Sequence, residues 1–138
     1  MIREHYDAVQ ALLPSTVTVY RGSVPDTHTY PYVVLWGDLG DESSGGPDGD
    51  SLRDDLSVLS LRFRATYAGL TFDSVLIQCR NVRAALSRKT PTVAGRVCGP
   101  LRQSSLMDVQ VDRDVTITGS GAHPFYAVDE FTLTSHKA

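Results

Sequence analysis

Two cysteines in 138 residues, Cys79 and Cys98, are too few for a disulfide scaffold, and no Cys-x-x-Cys or His-x-x-x-His pair offers metal-ligand spacing. The four histidines (His5, His28, His123, His136) are scattered along the chain. No apolar run approaches the ~18 residues that would span a bilayer. Arg3 and Glu4 place charge too early for a signal peptide. A single soluble domain over residues 1–138, made in a reducing cytoplasm, is the expectation. A phosphate-binding glycine motif is also missing: Gly45, Gly46 and Gly49 stand among acids, which would repel phosphate.

What the chain does have is one strong strand followed by one strong helix. From Leu59 to Tyr67 every odd position is apolar and every even position polar, the period of a strand with one face buried. Ala68–Gly69–Leu70 breaks the alternation, and Thr71 is placed to cap the helix that follows. Phe72, Val75, Leu76, Cys79, Val82 and Leu86 recur at steps of three and four, predicting one buried stripe that ends before Pro91. On this reading Cys79 is a buried free thiol.

Around that pair the remaining elements read in order. Ile2, Tyr6, Val9 and Leu13 share a helical face that Pro14 ends. Thr16–Arg21 is a β-rich run, and Tyr32–Trp36, apolar throughout, predicts a strand covered on both faces. A short strand is expected within Val93–Cys98, another around Met107–Asp112, and a last one over Phe125–Leu133, where neither face is cleanly apolar. Few helices between runs of strands argue for an α+β fold: a largely antiparallel sheet of four to five strands with two helices packed on one face.

Net charge is only −3, yet the signs are sorted along the chain. Asp38 to Asp55 holds seven acids and one base, whereas Leu56 to Leu106 holds eight bases and one acid. Gly37–Leu52, with five glycines and five acids, predicts a long flexible acidic loop between two strands of a hairpin. Its carboxylates, Asp38, Asp41, Glu42, Asp48 and Asp50, admit three readings. They can form a plain solvated loop, or a calcium site around Asp48-x-Asp50 and Asp54–Asp55. They can also form a negative surface past which DNA slides without sticking, since like charge removes the counterion-release gain. Arg62, Arg64 and Arg80 are the matching basic candidates, either solvated or docking on a neighbouring subunit's carboxylates. Cys79 with His28 or His123 is the one conceivable nucleophile–base set, and a cysteine on a helix stripe is far more often packing than catalysis.

The order of elements resembles the tail terminator (tail completion) proteins of long-tailed bacteriophages, the lambda-type family. The likeness runs over nearly the whole chain. It comprises a leading helix ending Leu12–Leu13–Pro14, the Val17–Tyr20 strand with Arg21–Gly22, and Pro25 ahead of Tyr30–Pro31–Tyr32–Val33–Val34–Leu35. After the long loop come the alternating Leu59–Tyr67 strand, the Phe72–Leu86 helix and the closing Phe125–Leu133 strand. The resemblance implies a subunit of a hexameric ring at the head-proximal end of the tail tube, assembled in the host bacterial cytoplasm. Such a ring ends tube polymerisation and joins the tail to the head connector. It implies contacts with itself, with tail tube protein, with a neck protein and with passing double-stranded DNA. No enzyme activity, cofactor, metal or membrane contact is implied. Two alternatives stand beside it: another neck or head-closure adaptor, and a small hydrolase or ligand-binding domain. The latter would use the Ser23–Pro31 and Gly37–Leu52 loops as a pocket rim.

Overall fold

The computed structural model describes residues 1–43 and 57–138. Helix α1 (Ile2–Ala11) is followed by strands β1 (Val19–Arg21), β2 (Tyr32–Gly37), β3 (Asp41–Ser43) and β4 (Val58–Gly69). Helix α2 (Phe72–Leu86) comes next, and β5 (Arg96–Cys98), β6 (Arg102–Val111) and β7 (Phe125–Lys137) close the fold.

The alternation in β4 does what its period requires. Leu59, Leu61, Phe63, Ala65 and Tyr67 are buried, while Ser60 and Arg62 are exposed. Every residue of β4 pairs with β7 in one antiparallel ladder, from Val58 opposite His136 to Gly69 opposite Phe125. The buried side of β7 is therefore Ala127, Asp129, Phe131, Leu133 and Ser135. Both helices lie on that side. Tyr6 of α1 meets Phe63 edge-on at 4.7 Å, and Val75, Val82 and Leu86 of α2 join the same core.

The far edges of the two long strands are each covered by two shorter strands set end to end. On β4 these are β2, antiparallel at residues 63–68, and β3, at 58–60. On β7 they are β6, at 125–132, and β5, at 135–137. The breaks between them fall at Asp38–Gly40 and Gly99–Leu101. A Cβ on Gly37 would overlap the Arg62 carbonyl oxygen, so only glycine lets the chain pass that close to β4. Outermost is β1, parallel to β2.

The sheet thus has seven strands, more than the four to five expected, and one parallel pair. β1 and β5 fall within the expected Thr16–Arg21 and Val93–Cys98 runs, and the strand not foreseen is β3, whose three residues are too few to show a period. It also corrects the Gly37–Leu52 loop. Its first part is not a free loop, because Asp41–Ser43 pairs with β4, while Ser44 to Leu52, with Asp48 and Asp50, lies outside the described residues.

Helix α2 begins as expected, with the Thr71 hydroxyl accepting from the Ser74 amide at 3.1 Å. Its end is held differently. Arg88 takes a left-handed φ of 61°, and two backbone bonds, Arg88 N–H to Leu101 O and Leu101 N–H to Lys89 O, pin that turn to the fully buried Leu101. The buried stripe is also narrower than its apolar spacing implied. Phe72 and Leu76 are about half exposed, and the polar Gln78 is buried instead.

These burials separate two leucines on one helix. Leu86→Ala should cost about 2–5 kcal/mol, the transfer and cavity terms together. Leu76→Ala should stay within about half a kcal/mol, as an exposed truncation does. Urea unfolding of the two variants checks the assignment, and equal costs would contradict it.

Candidate functional site

The densest polar cluster surrounds Asp129, a carboxylate only 2% exposed at the middle of β7. Four side chains converge on it. Arg83 of α2 binds it as a fork, Nε to Oδ2 and Nη2 to Oδ1, both at 2.7 Å. The Tyr67 hydroxyl donates at 2.7 Å, Gln103 of β6 donates at 3.2 Å, and the Cys79 thiol lies at 3.5 Å. Burial works against ionising Asp129, but the hydrogen bonds from Arg83 and Tyr67 outweigh it and hold the carboxyl below its usual range. Cys79 moves the other way. Burial first, and then the negative charge of Asp129, push its thiol up to about 11. A thiol so protonated is a poor nucleophile at neutral pH. Neither candidate base is beside it: His28 is bonded to the Pro25 carbonyl and His123 to that of Val115. The cluster is a tie between α2, β4, β6 and β7.

A second buried group was not singled out by sequence. His5 on α1 is fully buried, with Nδ1 2.7 Å from the Met1 carbonyl and Nε2 2.8 Å from Ser135 Oγ. A carbonyl only accepts, so Nδ1 donates to it, and Nε2 shares its hydrogen bond with the serine hydroxyl. Arg96 of β5 donates to the same hydroxyl at 2.9 Å, so one serine links α1, β5 and β7. The available signal was the placement of His5 one step from the Ile2–Tyr6–Val9 face.

The charged candidates divide. Asp38 is not a free surface charge: its carboxylate caps the turn, accepting from the amides of Gly40 at 3.2 Å and Arg62 at 3.0 Å. Asp41 and Glu42 are exposed on β3. Arg64 is neutralised within the subunit. It bonds Glu130 at 3.1 Å and lies 5.1 Å from the Trp36 ring, the three side chains forming one row across β2, β4 and β7. Arg62 and Arg80 are exposed and form no ion pair among the described residues. They do not form one patch, since Arg62 stands on the sheet face opposite the helices and Arg80 on the outside of α2. Among the described residues no three His, Cys, Asp or Glu side chains gather as a metal site, and the calcium candidates Asp48, Asp50, Asp54 and Asp55 lie outside them.

On the sheet face away from the helices there is a cleft of about 300 Å³. Its floor includes Val34, Trp36, Thr66 and Ala68, and its walls come from Gly22–Val24 with Tyr30 and from the segment between β6 and β7. The expected rim is half right: the Ser23–Pro31 loop contributes, while Gly37–Leu52 adds nothing among the described residues.

Removing one partner of the Asp129 cluster should be costly. Asp129→Asn should destabilise by about 2–4 kcal/mol, less than for a fully buried pair because Arg83 keeps some water. A lowered carboxyl pKa contributes stability that is complete above about pH 4 and is lost as pH falls through the folded value. Denaturation at pH 7, 5, 4 and 3 should show wild type losing its advantage over the variant toward pH 3. A gap constant with pH would contradict the ionised pair. Cys79, by the same geometry, should resist alkylation at pH 8 in folded protein and react in urea, as read by peptide mass.

No protein-family model matches the sequence, and neither does any curated protein. Among solved structures, a chain in "Virion of native gene transfer agent (GTA) particle" is similar over 93% of this chain and 92% of that one, with a TM-score of 0.57. At 14% identity the likeness is one of fold, shared from end to end.

Proposed function

We propose that this chain is a structural protein of a phage or phage-like virion. In that reading it is the terminator ring at the head-proximal end of a tail tube, stopping tube polymerisation and joining the tail to the head connector. The observation that carries the reading is the end-to-end fold likeness to a chain of a gene transfer agent virion. The surface supports it. β6 is a ten-residue edge strand exposed along most of its length, with Leu106 and Met107 outside the core. Such an edge is a template for a neighbouring chain. β1, at the opposite edge of the sheet, offers a second. A chain with two unlike edges joins copies head to tail, which closes a ring when the rotation allows it.

No catalytic role belongs to this proposal. The Cys79 thiol is held protonated, and its nearest polar neighbours are committed to Asp129. A head-closure adaptor would share the ring and the edges. The two roles separate in a direct assay: the terminator should cap purified tail tube protein at defined lengths, whereas an adaptor should bind the connector and leave the tube growing. Negative-stain imaging of the protein alone and with tube protein reads both. A chain that remains monomeric at all concentrations contradicts both.

The acidic stretch is assigned to the DNA path. Asp41 and Glu42 are exposed and unpaired among the described residues, so in a ring each copy adds negative charge. DNA passing within a Debye length of about 8 Å is then repelled and finds no binding well. Changing Asp41, Glu42, Asp48 and Asp50 to Asn or Gln should leave assembly unchanged at any salt and raise DNA affinity in 50 mM salt several-fold. Loss of rings in that variant would show that these carboxylates hold subunits together instead.

A further inference from the structure

The cleft on the open face of the sheet has a chemistry that the ring reading does not use. Four aromatic residues whose positions face this side of the sheet or its rim are among those that line it: Tyr30, Tyr32, Trp36 and Tyr126. Among the described residues, Asp112 is the only charged one that lines it, and no basic residue does. The rings are packed in place. Tyr30 and Tyr32 lie 5.1 Å apart, His28 stands 5.1 Å from Tyr32 on one side, and Tyr20 stands 5.7 Å from it on another. Trp36 is anchored by its indole N–H, which donates to Thr66 at 2.9 Å.

Each of these features favours a positive guest. An aromatic ring carries negative potential on its face, and a group of rings attracts a weakly hydrated cation. One face of Trp36 already lies against the Arg64 guanidinium, which Glu130 neutralises and which does not line the cleft. Burial, then Tyr30 and then the Asp112 charge keep the Tyr32 phenol protonated up to about pH 12, so the walls stay neutral. Asp112 spends Oδ1 on the Asp114 amide at 3.2 Å, and its backbone N–H is fixed to the Pro124 carbonyl at 2.8 Å. Its carboxylate is thus held at the rim by the backbone, with capacity left to accept.

We propose that this cleft binds an organic cation, an alkylammonium or guanidinium group held between the aromatic walls with Asp112 as its counter-charge. The size suits a head group with a short stem, at the small end of ligand sites. Two sources carry this chemistry: a free small molecule, or a lysine or arginine side chain of a second copy. Arg80, Arg88, Lys89 and Arg102 are exposed and outside any ion pair among the described residues. The proposal stands independently of the ring.

Trp36 is the only tryptophan in the chain, so its fluorescence reports directly on the cleft. The full-length protein would be titrated at constant ionic strength with tetramethylammonium, N-acetyl-lysine methylamide and N-acetyl-arginine methylamide. N-acetyl-norleucine methylamide serves as the neutral control. A saturable change with at least one cation, at least tenfold weaker with the neutral control, is the expected result. Asp112→Asn should weaken binding at least tenfold while the far-ultraviolet circular dichroism stays that of wild type. Should that variant misfold, amide shifts in wild-type NMR spectra confined to Trp36, Asp112 and Tyr126 carry the same information. Sedimentation then separates the sources. Dissociation of wild-type assemblies by the arginine or lysine probe identifies a side chain of a second copy, and binding without change of mass identifies a free cation. A linear response, equal binding of the neutral probe, or unchanged affinity in Asp112→Asn overturns the site.

Discussion

The antiparallel ladder between β4 and β7 is the constraint on which the other elements depend. It pairs all of β4, and because side chains alternate strictly, it decides at once which face of both strands is dry. Leu61 opposite Leu133 and Phe63 opposite Phe131 set the centre of the core. The helices then have one place to go, over the apolar face, and the shorter strands have only the two outer edges of the ladder to occupy. A slip of one residue would turn Leu59, Leu61 and Phe63 to water and bring Arg62 and Arg64 inside, so the register is steeply specified.

The same ladder forces Asp129 and Ser135 into the core, because they share a face with Phe131 and Leu133. A buried carboxylate is tolerated only when paired and hydrogen-bonded, and here Arg83, Tyr67 and Gln103 supply that from three other elements. Ser135 takes a lesser version of the same role, binding His5 and Arg96. The polar core therefore fixes how α1 and α2 sit, which apolar contact alone would leave freer to slide.

The two sheet faces divide the labour. One is closed by helices and is structural throughout. The other carries the Trp36–Arg64–Glu130 row and the aromatic cleft, both in reach of a partner. The virion reading draws on the fold and the edges of the sheet, and the cation site draws on its open face. A function that depends on edges and faces leaves little trace in local spacing, unlike a metal-binding or nucleophile motif.

By itself the sequence determined β4, the start of α2, the apolar β2 and the α+β class, because strict alternation and three-to-four spacing report burial directly. It also placed Cys79 among packing groups. Of the three-residue strands, β1 and β5 lay within runs the sequence marked, but β3 was beyond it, since so short a run has no period and its acids hid it further. The rotation of α2 that exposes Phe72 and Leu76 was likewise invisible: spacing gives a stripe, and only the neighbours decide how much of it is covered. The unclean faces of β7 were the visible sign of Asp129, but its partners stand 26, 46 and 62 residues away in the chain. The same holds for Asp38, read as surface charge and spent on the Arg62 amide, and for Arg64, read as an interface cation and paired with Glu130. Whether a charge is free or matched depends on which distant residue the fold sets beside it, and that is decided only in three dimensions.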